Sequence, residues 1–259
     1  VELLIRLQQA LQATESALSR AEEATRERDL LISIAAHDLR TPLTVILGQA
    51  LLVRQRAERA GMDARILQTL TTISTQAERL NQMIDALLDL SRIQEGRLTI
   101  QPSLCDLVAL LRRVVDAVQS TVPSSHQIHL EVPIRTITLM GDALRLEQVF
   151  FNLLGNAVKY SPDGGQITIW VESVGQVVQI HIRDHGIGIP TDALPFLFTR
   201  FYRAPNAIPQ ATSSLGVGLY IVRELIHAHG GSIAVDSIEG QGSTFTVQLP
   251  LSTDRPGRL

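Results

Sequence analysis

Apolar and small residues at Ile32, Ala35, Leu39, Leu43, Ile46, Ala50, Val53 and Ala57 recur in steps of three and four, which marks one face of a helix. Upstream, Leu4, Leu7, Leu11, Thr14, Leu18, Ala21, Thr25 and Arg28 alternate the same steps without a break of phase, the pattern of a left-handed coiled coil running into that helix. Thr14, Thr25 and Arg28 weaken its seam. Such a seam reads equally as an imperfect coiled coil or as a signalling stalk that shifts register when pulled from upstream. After Gly61 a second stripe, Ile66, Leu70, Ile73, Ala77, Leu80, Ile84, Leu87 and Ser91, predicts the return helix of a hairpin. One hairpin with a single seam per helix has too small a core to stand alone, so a homodimer forming a four-helix bundle is predicted for residues 1–95.

From residue 96 to 102 the period changes. Short β-type runs at 128–132, 137–140, 166–172, 177–184, 232–236 and 244–249 alternate with helical patterns at 106–119, 142–159 and 215–229, which predicts an α/β second domain.

Composition narrows what these two parts can do. The chain has 259 residues, 45% hydrophobic and 19% charged, enough for at least one full core and in keeping with two domains. A net charge of −3 and 4% aromatic residues provide neither the basic surplus nor the stacking surface of a nucleic-acid binder. The single cysteine, Cys105, rules out an internal disulfide or a cysteine metal site, fits a reducing compartment and reads as a small buried hydrophobe. No apolar run approaches the roughly 18–20 residues of a membrane span, and the start carries no basic-then-apolar signal. Because Val1 falls in mid-pattern, the expectation is a cytoplasmic fragment whose upstream sensing portion, and any membrane tether there, lies outside this chain.

Candidate chemistry begins at His37. It lies two residues from both Ala35 and Leu39, so at about 100° per residue its ring falls opposite the apolar seam, facing water beside Asp38. A solvated surface histidine would look the same. Pro42, however, interrupts the helix next to it, and Thr41 lies one turn beyond on nearly the same face. In the second domain Gln148, Asn152, Asn156 and Lys159 form a polar stripe on an otherwise apolar helix, with amide oxygens suited to Mg²⁺ and a cation suited to phosphate. Asp184-His185-Gly186-Ile187-Gly188 follows a strand where Ile180, Ile182 and Asp184 share a face, so the carboxylate should end in an apolar pocket and need a donor such as an adenine amino group. As an isolated pattern it is also an ordinary turn. Leu215-Gly216-Val217-Gly218-Leu219 opens a helix whose free N–H groups attract phosphate. There is no P-loop signature, and no strand precedes Gly216 as a dinucleotide fold would require.

Taken in order, Ala36-His37-Asp38-Leu39-Arg40-Thr41-Pro42-Leu43 resembles the phosphoacceptor box of two-component sensor histidine kinases. The segments 152–160, 184–188, 197–203, 215–219 and 240–245 resemble the N, G1, F, G2 and final glycine boxes of their ATPase domain. The resemblance implies a multidomain α plus α/β chain: a signalling coiled coil at 1–30, a dimerisation and phosphoacceptor hairpin at 31–95, a linker at 96–102, a Bergerat-type α/β sandwich at 103–251 and a tail at 252–259. It implies ATP and Mg²⁺ as cofactors. By the same resemblance His37 accepts the γ-phosphoryl group, Asp38 orients the ring and Thr41 helps to place a water when a partner is dephosphorylated. Asn156, helped by Asn152, would hold Mg²⁺, Lys159 would meet phosphate, Tyr160 would flank the base and Asp184 would read adenine. Gly186, Gly188, Arg200, Gly216, Val217, Gly218 and Leu219 would border the nucleotide. The partner implied is the receiver domain of a response regulator.

Two departures stand out. Ser214 replaces the usual first glycine of the G2 box, and Thr199 stands where the F box commonly has an acid. Related ATPases that hydrolyse ATP carry a glutamate base four residues before the magnesium Asn. Asn152 occupies that place here and cannot accept a proton, which favours transfer to histidine over hydrolysis. The loop 189–214, with four prolines, is expected to act as a lid. A catalytically inactive nucleotide-dependent scaffold is the alternative function.

Overall fold

The computed structural model describes residues 12, 39–40, 42–61, 63–132, 136–207 and 215–251. Outside them lie His37, Asp38 and Thr41, almost all of the expected coiled coil, the last part of the expected lid and the tail. The chain divides into two compact units, Val1–Arg97 and Leu98–Leu259.

In the first unit, helical residues 42–59 (α1) and α2 (Ala64–Gln94) form a hairpin. Gly61 takes φ +62° just past the end of α1, a left-handed conformation that glycine adopts without steric cost, and the Asp63 carboxylate caps α2 by accepting from the Arg65 N–H at 2.8 Å. The hairpin core is small, consisting of Leu43, Ala77, Ile84 and Leu88 with Leu47 and Leu87 packed against it. The apolar stripe therefore divides differently from the single buried seam predicted. Leu43, Ala50 and Ala57 of α1 and Ala77 and Ile84 of α2 are buried, whereas Ile46, Val53, Ile66, Ile73 and Leu80 are exposed. Ile66, Ile73 and Leu80 follow one another at seven-residue spacing, a second seam that one hairpin leaves uncovered.

The second unit runs β1 (Ser103–Asp106), α3 (Leu107–Gln119), β2 (His126–Glu131), β3 (Thr138–Gly141), α4 (Ala143–Lys159), β4 (Gly165–Val174), β5 (Val177–Arg183), a 3₁₀ turn (Leu194–Phe196), α5 (Gly218–Ala228), β6 (Ser232–Ile238) and β7 (Gly242–Pro250). β1 and β3 pair antiparallel, and the other strands form a mixed sheet in the order β2-β4-β5-β7-β6, with only β2 and β4 parallel. Apolar rungs cross this sheet on one face: Ile169, Ile182 and Phe245 lie in register, as do Val171, Ile180 and Val247. The apolar sides of α3, α4 and α5 supply the other half of the core, with Leu107, Leu110, Leu111, Leu146, Phe150, Leu153, Leu154 and Leu225 fully buried. Each such side chain contributes roughly 1.5–3 kcal/mol by leaving water, so this α/β sandwich is stabilised mainly by its own interior. Asp106 and Asp142 start α3 and α4 by accepting from main-chain N–H groups of the first turn. Cys105 is buried, as its apolar reading anticipated.

Candidate functional site

The site of the second unit is assembled from four segments. Asp184 follows β5 at the edge of the apolar rungs and is only 4% exposed. Its Oδ1 accepts from the N–H groups of Gly186 (2.9 Å) and Ser243 (3.2 Å), leaving Oδ2 without a partner among the described residues. Burial pushes the carboxyl above the usual aspartate range, and the two N–H groups and nearby His185 offset part of that rise. The sequence reading assigned the buried acid an adenine donor alone. Two main-chain donors already serve one oxygen, and only the second is open to such a donor.

Backbone approach around this acid depends on missing side chains. A β-carbon on Gly186 would stand 2.0 Å from the Tyr160 carbonyl oxygen, which accepts from the Ile187 N–H at 3.0 Å. At Gly188, with φ +62°, a β-carbon would stand 2.1 Å from the Ile238 carbonyl. The G1 segment is thus pressed against the C-terminal end of α4 on one side and the β6–β7 turn on the other. Asn206 adds a clasp, its Nδ2 donating to the Gly188 carbonyl (3.1 Å) and to Glu239 (3.3 Å).

On α4, Asn152, Asn156 and Lys159 are half-buried along one stripe, as their spacing predicted. The Asn156 Nδ2 donates to the Asn152 Oδ1 at 3.1 Å, which turns the Asn156 Oδ1 away from that bond with no partner among the described residues. The Lys159 ammonium lies 5.0 Å from the Tyr160 ring centroid. Tyr160 ends the helix, and burial raises its hydroxyl pKa against the opposing charge of Arg203.

At α5, Gly216 takes φ +69° and packs on the backbone of Phe201 and Tyr202, and buried Val217 is the N-cap with no side-chain capping bond. Gly218, the first helical residue, lies so close to Asn152 that a β-carbon there would meet its Nδ2 at 2.7 Å. The orphan N–H groups of α5 therefore open beside the asparagine stripe, and Leu219 follows half-buried. Arg200 makes no hydrogen bond to these residues, and its guanidinium carbon lies 5.3 Å from the ring centroid of Tyr220 in the first turn of α5.

Ser243 and Gly242 of the 240–245 box serve Asp184, and His229 braces the opposite ends of α4 and α5. Ser243 acts through its main chain and left no signal in its side chain. Gly242 is marked in the sequence by that box, and its φ of +99° and a β-carbon position 2.1 Å from the Asp184 carbonyl demand glycine. His229 is held as a neutral tautomer, its Nδ1–H donating to the Leu225 carbonyl (2.7 Å) and its Nε2 accepting from the Asp142 N–H (3.0 Å), which ties the end of α5 to the start of α4.

Comparison with known proteins agrees with this layout. Residues 27–96 match the family model of the His Kinase A (phospho-acceptor) domain, and residues 141–253 match the Histidine kinase-, DNA gyrase B-, and HSP90-like ATPase. The chain is 31% identical over 237 residues to the sensor histidine kinase WalK of Bacillus subtilis (strain 168), covering 90% of this chain and 38% of WalK. It is 32% identical to the circadian input-output histidine kinase CikA of Thermosynechococcus vestitus, covering 96% of this chain and 34% of CikA. The chain thus spans between a third and two fifths of the length of these curated relatives. Among solved structures, full-length ShkA in complex with AMPPNP aligns at a TM-score of 0.68 with 26% identity, over 86% of this chain and 46% of ShkA. The Acinetobacter baumannii histidine kinase AdeS aligns at 0.57 with 26% identity, over 84% of this chain and 98% of AdeS. With a phosphoacceptor domain followed by an ATPase domain of this architecture, the chain belongs to the two-component sensor histidine kinases.

Proposed function

We propose that this chain transfers the γ-phosphoryl group of ATP to His37 and then to an aspartate on the receiver domain of a response regulator. The observation that carries the reading is Asp184, a buried carboxylate with one oxygen spent on main-chain donors and the other open beside two glycines that admit a planar base. An adenine amino group is the complementary donor, and the ShkA relative was solved with an ATP analogue.

The reaction follows from charge and geometry. The neutral imidazole, the majority form near pH 7 for an unperturbed pKa of about 6.5, attacks the γ-phosphorus. A P–N bond forms, the bond to the bridging β–γ oxygen breaks and ADP leaves. Asp38 orients the ring and takes its other proton. In the second step the P–N bond breaks, an acyl phosphate forms on the regulator and His37 is restored. Lys159 and the open N-terminus of α5 face the phosphate charge, so positioning supplies most of the rate. The open Oδ1 of Asn156 is a hard oxygen of the kind Mg²⁺ prefers, and Asn152 orients it, so the donor set fits that ion. When bound, Mg²⁺ neutralises charge on the phosphoryl oxygens. Asn152 offers no base to activate water, which directs the phosphoryl group to His37.

The chain acts as a homodimer in this reading, because the uncovered seam at Ile66, Ile73 and Leu80 is the surface a second hairpin would bury. Thr41 helps to dephosphorylate the regulator, and an ATP requirement places the activity in the cytoplasm. Among the described residues no helix is long and apolar enough to cross a membrane.

Incubation with γ-labelled ATP tests the proposal. The expected result is protein-bound label that survives base and is lost in acid, absent from His37→Gln and strongly reduced in Asn156→Ala. Label that persists in His37→Gln overturns the assignment.

A further inference from the structure

Arg200 ends in an arrangement that its place in the F box did not foretell. Its guanidinium carbon lies 5.3 Å from the centroid of the Tyr220 ring, and the guanidinium carbon of Arg223 lies 5.3 Å from the same centroid. Both distances are inside the range at which a cation is attracted to the negative face of an aromatic ring. The two cations are not equivalent. Arg223 donates through Nε and Nη2 to Glu224 at 3.2 and 3.0 Å, so its charge is already matched. Arg200 has the Tyr220 ring and no hydrogen-bond or carboxylate partner among the described residues, and it is exposed. Its planar fork of N–H donors is therefore unspent.

The backbone around Arg200 is built to keep it there. Phe201, the next residue, has φ +62°, a left-handed conformation that a bulky residue keeps only where its surroundings enforce it. Gly216 packs directly on that turn, where a β-carbon on it would stand 2.9 Å from the Tyr202 carbonyl oxygen and 3.0 Å from the Phe201 carbonyl carbon. Tyr220 itself is 8% exposed in the first turn of α5, and helical side chains lean toward the N-terminus of their helix. The ring that Arg200 meets thus belongs to the same turn as the uncapped N–H groups beside Gly218.

Resting on the ATP reading above, we propose that Tyr220 is a positioning residue. Its ring, backed by Arg223, holds the Arg200 guanidinium at the α5 N-terminus to meet the triphosphate of the nucleotide. The base is read elsewhere, by Asp184, so the contribution of Tyr220 belongs to the phosphates alone.

Calorimetric titration of the full chain with ATP and, separately, with adenosine tests this. Tyr220→Leu is expected to weaken ATP binding about three- to tenfold and to leave adenosine binding unchanged. Tyr220→Phe keeps the ring face and is expected to restore most of the ATP affinity. The double variant Tyr220→Leu/Arg200→Gln should bind ATP no more weakly than Arg200→Gln alone, because both changes remove one contact. Equal losses for ATP and adenosine, unchanged ATP binding in Tyr220→Leu, or a Phe variant as weak as Leu overturns the proposal. If Tyr220→Leu does not fold, phenylalanines with successive ring fluorines at position 220 keep the shape and drain the face of negative potential. ATP affinity that falls stepwise supports the proposal, and affinity indifferent to fluorination overturns it. A wild-type chain that binds adenosine and no ATP instead sinks the ATP reading on which this rests.

Discussion

The two units solve the problem of burying apolar surface in opposite ways. In Leu98–Leu259 the rungs of the mixed sheet and the inner sides of three helices meet each other, and the largest side chains there, from Leu107 to Ile182, are wholly shielded within one chain. In Val1–Arg97 the described hairpin has a core cluster of only Leu43, Ala77, Ile84 and Leu88 and leaves Ile46 53%, Ile73 45% and Leu80 50% exposed. The first kind of interior carries the proposed nucleotide site, where the backbone at Gly186 and Gly188 packs too closely to admit a β-carbon. In the dimer proposed above the second kind is completed by another copy, and a bundle of that sort would answer a pull on its helices because its interface is not locked by its own fold.

Removing the interior of the second unit should have the largest effect. Phe150→Ala, at a fully buried position of α4, is expected to cost about 3–5 kcal/mol and to abolish nucleotide binding while the dimer mass, measured below the melting transition, is unchanged. Loss of the dimer in this variant would show that the two interiors depend on each other. Next, Ile73→Glu with Leu80→Glu is expected to raise the dimer dissociation constant roughly a hundredfold or more by sedimentation, since two charges would have to be buried. Val174→Glu, at an equally exposed apolar position of the second unit, serves as the control that leaves the mass unaltered. A dimer that survives both seam charges breaks the comparison.

How much of this is legible in the sequence depends on range. Helix α4 was predicted at 142–159 and runs Ala143–Lys159, because its periodicity, its capping Asp142 and its apolar face are all local signals. α5 was expected from residue 215 and starts at Gly218, since the left-handed turn at Gly216 and the N-cap at Val217 come first. β1 was missed: a four-residue strand with one buried side chain, Cys105, has almost no period of its own and is defined by pairing with β3 over thirty residues away. The heptad stripe was read as one seam because period identifies an apolar face but not which chain covers it. At the proposed site, the side chains of Asn152, Asn156, Lys159 and Asp184 are marked in the sequence by spacing and residue type. One donor to Asp184 is not, because the Ser243 N–H comes from 59 residues away along the chain.

Smaller effects sharpen the contrast. Because burial raises the Asp184 carboxyl above its unfolded value, ionising it costs the fold: its stabilising contribution is present at low pH and is lost as pH rises through the folded pKa. Asp184→Asn keeps an acceptor for Gly186 and Ser243 without that cost. It should therefore melt higher than wild type at pH 7, by roughly 2 °C or more, with the gap closing as the pH falls into the normal aspartate range. The same variant presents an amide where adenine needs an acceptor and should lose ATP binding. A lower melting temperature at pH 7 would contradict the cost assigned to burial. Smallest of all, calorimetry over a tenfold dilution should shift the transition of the first unit downward by a few degrees and leave that of the second in place.

The central claim is that one imidazole of the helical unit receives what the α/β unit binds. Mass spectrometry of the peptides, prepared at neutral pH after reaction with ATP and Mg²⁺, tests it most directly by locating the added phosphoryl group. The account expects a phosphoramidate on His37 and nowhere else. Phosphate on another residue, or ADP and free phosphate accumulating with no phosphorylated peptide, would contradict it.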